Sequence, residues 1–301
     1  MISTEEGGPG PKSLWSNRPI AGMLDDMQIE LEPLSQAIGA NVRGVDLRVP
    51  LDGGQRSALL EALDEHLALF LRGQDLTRRE FVAFGESLGP LERHAYAPTD
   101  ADHPEMVVLD QVRAVRGGAD VWHADSTFTE SPPAIGILRA DVLPSLGGDT
   151  CFGSAIAAFE ALSPPLQALL GKLRGVHDLT RQLGVAIANG NFDGDLHEMQ
   201  RQWPPVVHPV VIRDPRTGRR GLFVNANYTT RLEGVSRAES DRLLAFLFEH
   251  VRSPDLQCRF RWEPGSIAIW KNRFVQHFAV PDYAERRVMW RLNVAGGAIE
   301  A

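Results

Sequence analysis

Val121-Trp122-His123-Ala124-Asp125-Ser126-Thr127-Phe128 lies between Gly117-Gly118 and Pro132-Pro133. Apolar and β-favouring edges between two breakers predict one strand. In a strand, residues two apart share a face, so His123 and Asp125 would project side by side, ~7 Å apart at the backbone. An imidazole and a carboxylate converging from there can hold one metal ion. With open positions left over, that pair matches the donor set of a non-haem Fe(II) facial triad, which needs a second histidine. His277, in Trp270-Lys271-Asn272-Arg273-Phe274-Val275-Gln276-His277, is the candidate. A His-x-Asp tripeptide also arises by chance on an exposed strand, so the assignment depends on partners elsewhere in the chain.

The 301 residues are 43% hydrophobic and 23% charged, ordinary values for a soluble globular protein. A mainly β fold of this length is often one domain. The net charge of -8 argues against a nucleic-acid partner. Arg213, Arg216, Arg219 and Arg220 surround Asp214-Pro215 and Gly218 and read as a solvated hairpin turn. Cys151 and Cys258 are too few for a disulfide scaffold and lie in no CxxC pair. No run reaches the ~20 apolar residues of a membrane span, and the N-terminus lacks the apolar stretch of a signal peptide. A cytoplasmic protein without a membrane partner is expected.

Residues 1–25, with Glu5-Glu6-Gly7-Gly8-Pro9-Gly10-Pro11, read as a flexible tail. Residues 26–301 read as one domain. Its first part alternates through Ile29, Leu31 and Leu34, then Ile38 to Leu47, as short strands with glycine bends. Leu59, Leu60, Leu63 and Leu67 change to helical spacing, in a helix closed by Gly73, although Leu69-Phe70-Leu71 already suits a strand. Thr77 with Glu80 forms a capping box for a second helix to Leu88. Met106 to Leu109 reads as a buried strand, and Ala134 to Val142 as another. An insertion at about 153–205 holds two helical segments broken at Ser163-Pro164-Pro165, then an unpatterned stretch, 180–204. Such stretches inside compact chains are usually functional, here as a lid. Val206 to Ile212 and Gly221 to Asn225 read as a hairpin, Arg237 to Val251 as a helix. Cys258 to Trp262, Ser266 to Trp270, Val275 to Val280 and Arg287 to Val294 read as closing strands.

The last strand carries a second signal. Val288, Trp290, Leu292 and Val294 form one wholly apolar face that must be buried. Arg287, Met289, Arg291 and Asn293 form the other. Arginine makes planar, bidentate pairs with carboxylates and similar oxyanions. Arg287 and Arg291, ~13 Å apart along the strand, could serve two anions on either side of a metal. A strand with one solvated face is the plainer alternative.

Together these pieces resemble the TauD/TfdA family of Fe(II)- and 2-oxoglutarate-dependent dioxygenases. The matching stretches are Trp122 to Phe128, Gly147-Gly148-Asp149-Thr150, Leu222-Phe223-Val224-Asn225, Ile269-Trp270-x-Asn272-Arg273, Gln276-His277, Asp282-Tyr283 and Arg286-Arg287-Val288-Met289-x-Arg291. They occur in family order over about residues 28 to 295. The resemblance implies a double-stranded β-helix (jelly-roll) core, mainly β with flanking helices. It implies Fe(II) on His123, Asp125 and His277, with 2-oxoglutarate and O2 as cosubstrates. Thr150 and Arg287 would bind a 2-oxoglutarate carboxylate. Arg291 and His94 would bind a small anionic substrate: a sulfonate, sulfate ester or carboxylate. Related halogenases replace the metal-binding carboxylate with a small residue, so Asp125 implies hydroxylation. Family members are often dimers or tetramers, which makes a homo-oligomer an option. Three positions depart from the pattern: Lys271 replaces a common acid, Ala97 replaces an aromatic, and Gly118-Ala119-Asp120 lacks asparagines. These changes leave taurine as one option among several anions.

Of the remaining histidines, His66 and His250 read as helix-end residues, and His103, His177, His197 and His208 as loop or strand-start residues. Ser126 has no Gly-x-Ser-x-Gly elbow for a hydrolase. Two rival functions stay open. One is a biosynthetic tailoring oxygenase acting on an amino acid or other small acid. The other is a metal-binding jelly roll without oxygenase activity, which would need neither Arg287 nor Thr150.

Overall fold

The computed structural model describes residues 29–95, 97–114, 118–190 and 192–301. The expected tail, residues 1–25, lies outside these. β1 (Glu30–Pro33) and β2 (Ala40–Arg43) pair antiparallel. Asp52 caps α1 (Gly53–His66) through a capping box with Gln55. That helix ends at Leu67, in the left-handed region at φ 63, six residues before Gly73. β3 (Ala68–Leu71) follows at once and is wholly buried. Thr77 and Glu80 form the expected capping box of α2 (Arg78–Leu88), each satisfying an orphan N–H of the other's segment. β4 (Val107–Gln111), β5 (Ile135–Val142) and β6 (Thr150–Ser154) come next. The insertion holds α3 (Ala155–Glu160), α4 (Pro164–Leu170), β7 (Arg174–His177), α5 (Leu179–Ala188) and α6 (Leu196–Gln202). β8 (Val206–Pro209), β9 (Val211–Arg213), β10 (Arg220–Leu222), β11 (Thr229–Glu233) and α7 (Arg237–His250) lead to β12 (Gln257–Phe260), β13 (Ile267–Lys271), β14 (Val275–Ala279) and β15 (Arg287–Val294).

Seven strands make one sheet, in the order β1-β2-β3-β13-β5-β15-β4, and three make a second, β12-β6-β14. The two face each other as a jelly roll. Phe70, Leu138, Ala140, Trp270 and Met289 from the large sheet meet Phe152 and Phe260 from the small one. Phe70 stacks on Phe260 at 4.3 Å between ring centroids. On the other face of the large sheet, Ile137, Ile269, Val288, Trp290, Leu292 and Val294 pack with Leu59, Leu63, Phe81 and Phe84 of α1 and α2. The alternation of β15 therefore sorts as expected. Its apolar face lies under the helices, and Arg287, Met289, Arg291 and Asn293 point between the sheets.

Several expectations change. Residues 121–128 are not a strand. His123 makes a single antiparallel bridge with His277, and the chain then turns, with Ser126 at φ 53. β4 is an edge strand rather than a buried one, with only Val107 fully covered. Residues 180–204 include α5 and α6, whose pattern Gly184 and the polar stretch after Ala188 obscure. Their place comes from packing: Leu179 and Leu183 of α5 bury against Phe128 and Tyr228, with Leu196, Met199 and Trp203 alongside. The hairpin expected over 206–225 is divided. β8 joins β7 and β11, while β9 pairs with β10. Among the described residues no helix is long and apolar enough to cross a membrane.

The Arg213–Arg220 turn is anchored as well as solvated. Asp214, 1% exposed, binds Lys271 Nζ, which also bonds Asp64 of α1 at 2.6 Å. Arg216 bonds the same Asp64. Burial alone would raise the Asp214 carboxyl, but Lys271 outweighs it and holds the group below its ordinary value. Lys271→Met strands that buried carboxylate, and unfolding in urea should show a loss of about 3–5 kcal/mol. The unfolded chain takes up the Asp214 proton first on acidification. The contribution of this pair is thus present above about pH 4 and lost as pH falls.

Candidate active site

Three buried side chains converge between the sheets. β14 supplies His277, the bridge opposite supplies His123, and the turn after it supplies Asp125. Asp125 Oδ1 lies 3.5 Å from His123 Nε2 and 3.9 Å from His277 Nε2. One ligand atom from each falls within 4.8 Å of the others. His123 Nδ1 lies 2.6 Å from the Val121 carbonyl. As donor there, it leaves the Nε2 lone pair facing the cluster. Burial, reinforced by His123, pushes His277 down to about 3, so its imidazole is neutral at pH 7. Burial opposes ionisation of Asp125, but Arg291 foremost, with the two histidines, holds its carboxyl well below the usual range. Among the described residues Asp125 Oδ2 is buried without a hydrogen-bond partner, a costly state for a carboxylate unless a cation meets it. Two neutral imidazoles and one carboxylate fit Fe(II) by donor type.

Asn272 explains why the chain turns at Asp125. Its Oδ1 accepts from Asp125 N at 2.8 Å, and its Nδ2 donates to Asp125 O at 3.0 Å and Pro133 O at 3.2 Å. One fully buried carboxamide replaces a strand neighbour, and the extended run ends. Beyond it, Thr127 Oγ1 meets His177 Nδ1 and Asn225 Nδ2, each at 2.9 Å. His208 Nε2 lies 3.1 Å from Thr127 O. His177 and His208 are thus buried anchors of the metal-side turn, and burial holds His177 down at about 3. Asn272→Ala should weaken Mn(II) binding about 10–100-fold, as outer partners of metal ligands do. Calorimetric titration checks this.

A second buried cation lies four residues from Arg291, on the same face of β15. Arg287, 5% exposed, has Nε and Nη2 without partners among the described residues. Its guanidinium carbon lies 5.8 Å from the Tyr283 ring centre. The Gly147–Gly148 turn, at φ 82 and 75, makes room for it. A Cβ on Gly148 would sit 3.2 Å from Arg287 Cδ. Two residues on, Thr150 Oγ1 accepts from Trp262 Nε1 at 2.9 Å, which leaves the hydroxyl proton to be donated elsewhere. A buried guanidinium fork with unused donors suits a carboxylate.

Arg291, two pleat repeats further along β15, has Nη1 3.3 Å from Asp125 Oδ1. His94 faces the same region. Burial, then the charge of Arg291, depresses it to about 3. Its Nδ1 accepts from Ala97 N at 3.0 Å, so the neutral ring carries its proton on Nε2, as a donor. Glu92, two residues earlier, donates its backbone N–H to the Asn293 carbonyl at 3.0 Å. Burial and the charge of Asp125 push its carboxyl up to about 7.

Residues 30–293 match the family model described as taurine catabolism dioxygenase TauD, TfdA family. The chain belongs to the TauD/TfdA family. An alpha-ketoglutarate-dependent sulfate ester dioxygenase of Pseudomonas putida is 34% identical over 93% of this chain and 94% of its own length. An (S)-phenoxypropionate/alpha-ketoglutarate-dioxygenase of Sphingobium herbicidovorans is 33% identical over 89% and 95%. The solved structure of AAD-2 in complex with Mn(II) and N-oxalylglycine superposes with a TM-score of 0.79 at 26% identity, covering 91% of this chain and 100% of that one.

In this TauD/TfdA chain the expected residues fall into two groups, His123, Asp125, His277, Arg291 and His94 in one, Arg287 and Thr150 in the other. The shared strand face expected for His123 and Asp125 is replaced by a bridge and a turn. Sequence reading missed three residues of the site. Asn272 sits inside a stretch already matched to the family, and its pairing role needs the fold. Trp262 and Glu92 carry no local signal.

Proposed function

We propose that this chain is an Fe(II)- and 2-oxoglutarate-dependent dioxygenase that hydroxylates a small anionic organic substrate. The observation that carries this is the buried His123–Asp125–His277 cluster together with a buried arginine, Arg287, four residues from Arg291 on the same strand face, whose Nε and Nη2 have no partner among the described residues. His123, Asp125 and His277 would hold the iron. Arg287 and the Thr150 hydroxyl would hold a 2-oxoglutarate carboxylate. N-oxalylglycine, bound in the AAD-2 structure, is isosteric with 2-oxoglutarate, which supports this. With O2, the bound iron and cosubstrate supply the oxidising chemistry, yielding succinate, CO2 and a hydroxylated product. Arg291 and the His94 Nε2–H would orient the substrate anion so that one C–H bond faces the metal. α5 and α6, packed on Phe128 just beyond Asp125, would exclude water as a lid. The relatives named for a sulfate ester and for phenoxypropionate support a small anion. Where the hydroxylated carbon carries a sulfate ester or aryl ether, the product breaks down and releases sulfate or a phenol. Two free thiols, Cys151 and Cys258, fit a reducing, cytoplasmic setting.

Succinate formation by anaerobically Fe(II)-loaded protein, given O2 and 2-oxoglutarate, tests the reading against sulfonates, alkyl sulfates, phenoxyalkanoates and amino acids. Stimulation by one class is expected. Iron-loaded protein that binds 2-oxoglutarate yet makes no succinate with any of them contradicts it.

A further inference from the structure

We propose that Asp282 is a positioning residue for the cosubstrate: it holds the Gly147–Gly148 turn against Arg287 and so fixes the guanidinium that takes the 2-oxoglutarate carboxylate remote from the metal. The inference rests on the function proposed above and deepens it.

The contact begins as a strand ladder and ends as a side chain. Ala279 pairs with Thr150 at the ends of β14 and β6. One step on, Val280 N donates to Asp149 O at 2.9 Å. Pro281 follows, with a fixed φ and no N–H, and the ladder ends. Asp282 continues the contact with its carboxylate, whose Oδ1 accepts from Gly148 N at 2.8 Å. The turn fits closely around it. A Cβ on Gly147 would sit 2.5 Å from Asp282 O and 2.6 Å from Asp282 Oδ1. Arg259 ties the two segments together, with Nε 2.7 Å from Asp149 Oδ2 and Nη2 3.5 Å from Asp282 Oδ2.

The same turn packs on Arg287. A Cβ on Gly148 would meet Arg287 Cδ at 3.2 Å and Nε at 3.3 Å. Gly148 therefore touches Asp282 through its N–H and the arginine stem through its Cα. Tyr283, the next residue, lies on Arg287 as well, its ring centre 5.8 Å from the guanidinium carbon. The Tyr283 hydroxyl bonds Gln111 Oε1, and Gln111 stands opposite Arg287 in the pairing of β4 with β15. No polar group among the described residues holds Arg287 Nε or Nη2, so packing sets where these donors point. Bidentate recognition of a carboxylate depends on that direction, and a fork fixed beforehand loses less entropy on binding. Asp282 acts on it through Gly148. Its own side chain is 46% exposed, so truncation removes little packing.

The test measures Kd by calorimetry on Mn(II)-loaded protein for 2-oxoglutarate and 2-oxopentanoate. The second has the same carbon chain, with a methyl in place of the remote carboxylate. The ratio of the two affinities isolates the Arg287 contact. In the wild type it should favour 2-oxoglutarate on the order of 10²-fold or more. Asp282→Ala should cut this ratio about tenfold and leave Mn(II) and 2-oxopentanoate binding within about twofold. Asp282→Leu keeps a branched side chain without the acceptor and should match alanine, which covers an alanine variant that folds poorly. Asp282→Asn keeps an acceptor for the Gly148 N–H and gives up only an exposed ion pair, so its ratio should stay within about threefold of wild type. A merely structural role would lower both affinities together and leave the ratio unchanged, which overturns the inference. A ratio as low in Asp282→Asn as in Asp282→Ala overturns it too. A wild-type ratio near one defeats the proposed role of Arg287, and this inference with it. A high wild-type ratio kept by the alanine and leucine variants defeats Asp282 alone.

Discussion

Asp125→Ala abolishes substrate-stimulated succinate formation and weakens Mn(II) binding well beyond the ~10–100-fold expected for loss of an outer partner such as Asn272. Asp125 is the one anionic donor in the cluster, and its carboxylate also faces Arg291 at 3.3 Å. Removing it deletes a ligand and leaves a positive guanidinium aimed at the metal position. Both changes oppose a divalent cation. The metal-free fold should tolerate the change better than the site does. The lost carboxylate includes an oxygen that is buried without a partner, so its removal relieves one cost while it strands Arg291. Calorimetric Mn(II) titration, with the melting temperature of the metal-free variant beside it, separates the two effects. Binding kept within tenfold of wild type would mean that Asp125 is not a ligand.

Arg287→Ala and Arg291→Ala should fail in opposite ways. Arg287 offers Nε and Nη2 in a nearly dry pocket, beside the turn that leads to Thr150. Losing a buried, charge-assisted pair costs about 2–5 kcal/mol, so 2-oxoglutarate affinity should fall on the order of 10²-fold or more. Arg291 lies four residues along the same strand face, on the Asp125 side. Its loss should raise the substrate KM by a similar factor and change 2-oxoglutarate binding only a few-fold. Calorimetry with 2-oxoglutarate, and KM with the best substrate of the panel, give the two numbers for each variant. Equal effects on both ligands would contradict the division between the arginines.

Much of this was legible because it depends on local periodicity. β15 alternates strictly, so its sequence tells which side chains go under the helices and which go between the sheets. The capping box of α2, Thr77 with Glu80, is closed within four residues. The His123–Asp125 pair was legible from its spacing, while the third ligand needed the resemblance to support it, since His277 lies more than 150 residues from His123. What failed depended on partners distant in sequence. The extended look of residues 121–128 is genuine up to His123. Beyond it, the Asn272 side chain takes the place of a neighbouring strand. α5 contains Gly184 and is held by Phe128 and Tyr228, so tertiary packing overrides a weak helical signal. Glu92 becomes a site residue only because Asn293, two hundred positions later, lies beside it. Lys271 reads as a departure from a motif until Asp64 and Asp214 close on it.

The most direct test is a reaction of the Fe(II)-loaded protein, 2-oxoglutarate and the best substrate under ¹⁸O2, with both products analysed by mass spectrometry. The expected result is one labelled oxygen in succinate, label in the hydroxylated product, and equal amounts of the two. Product formed without 2-oxoglutarate consumption, or succinate without label, would contradict a dioxygenase working through this site.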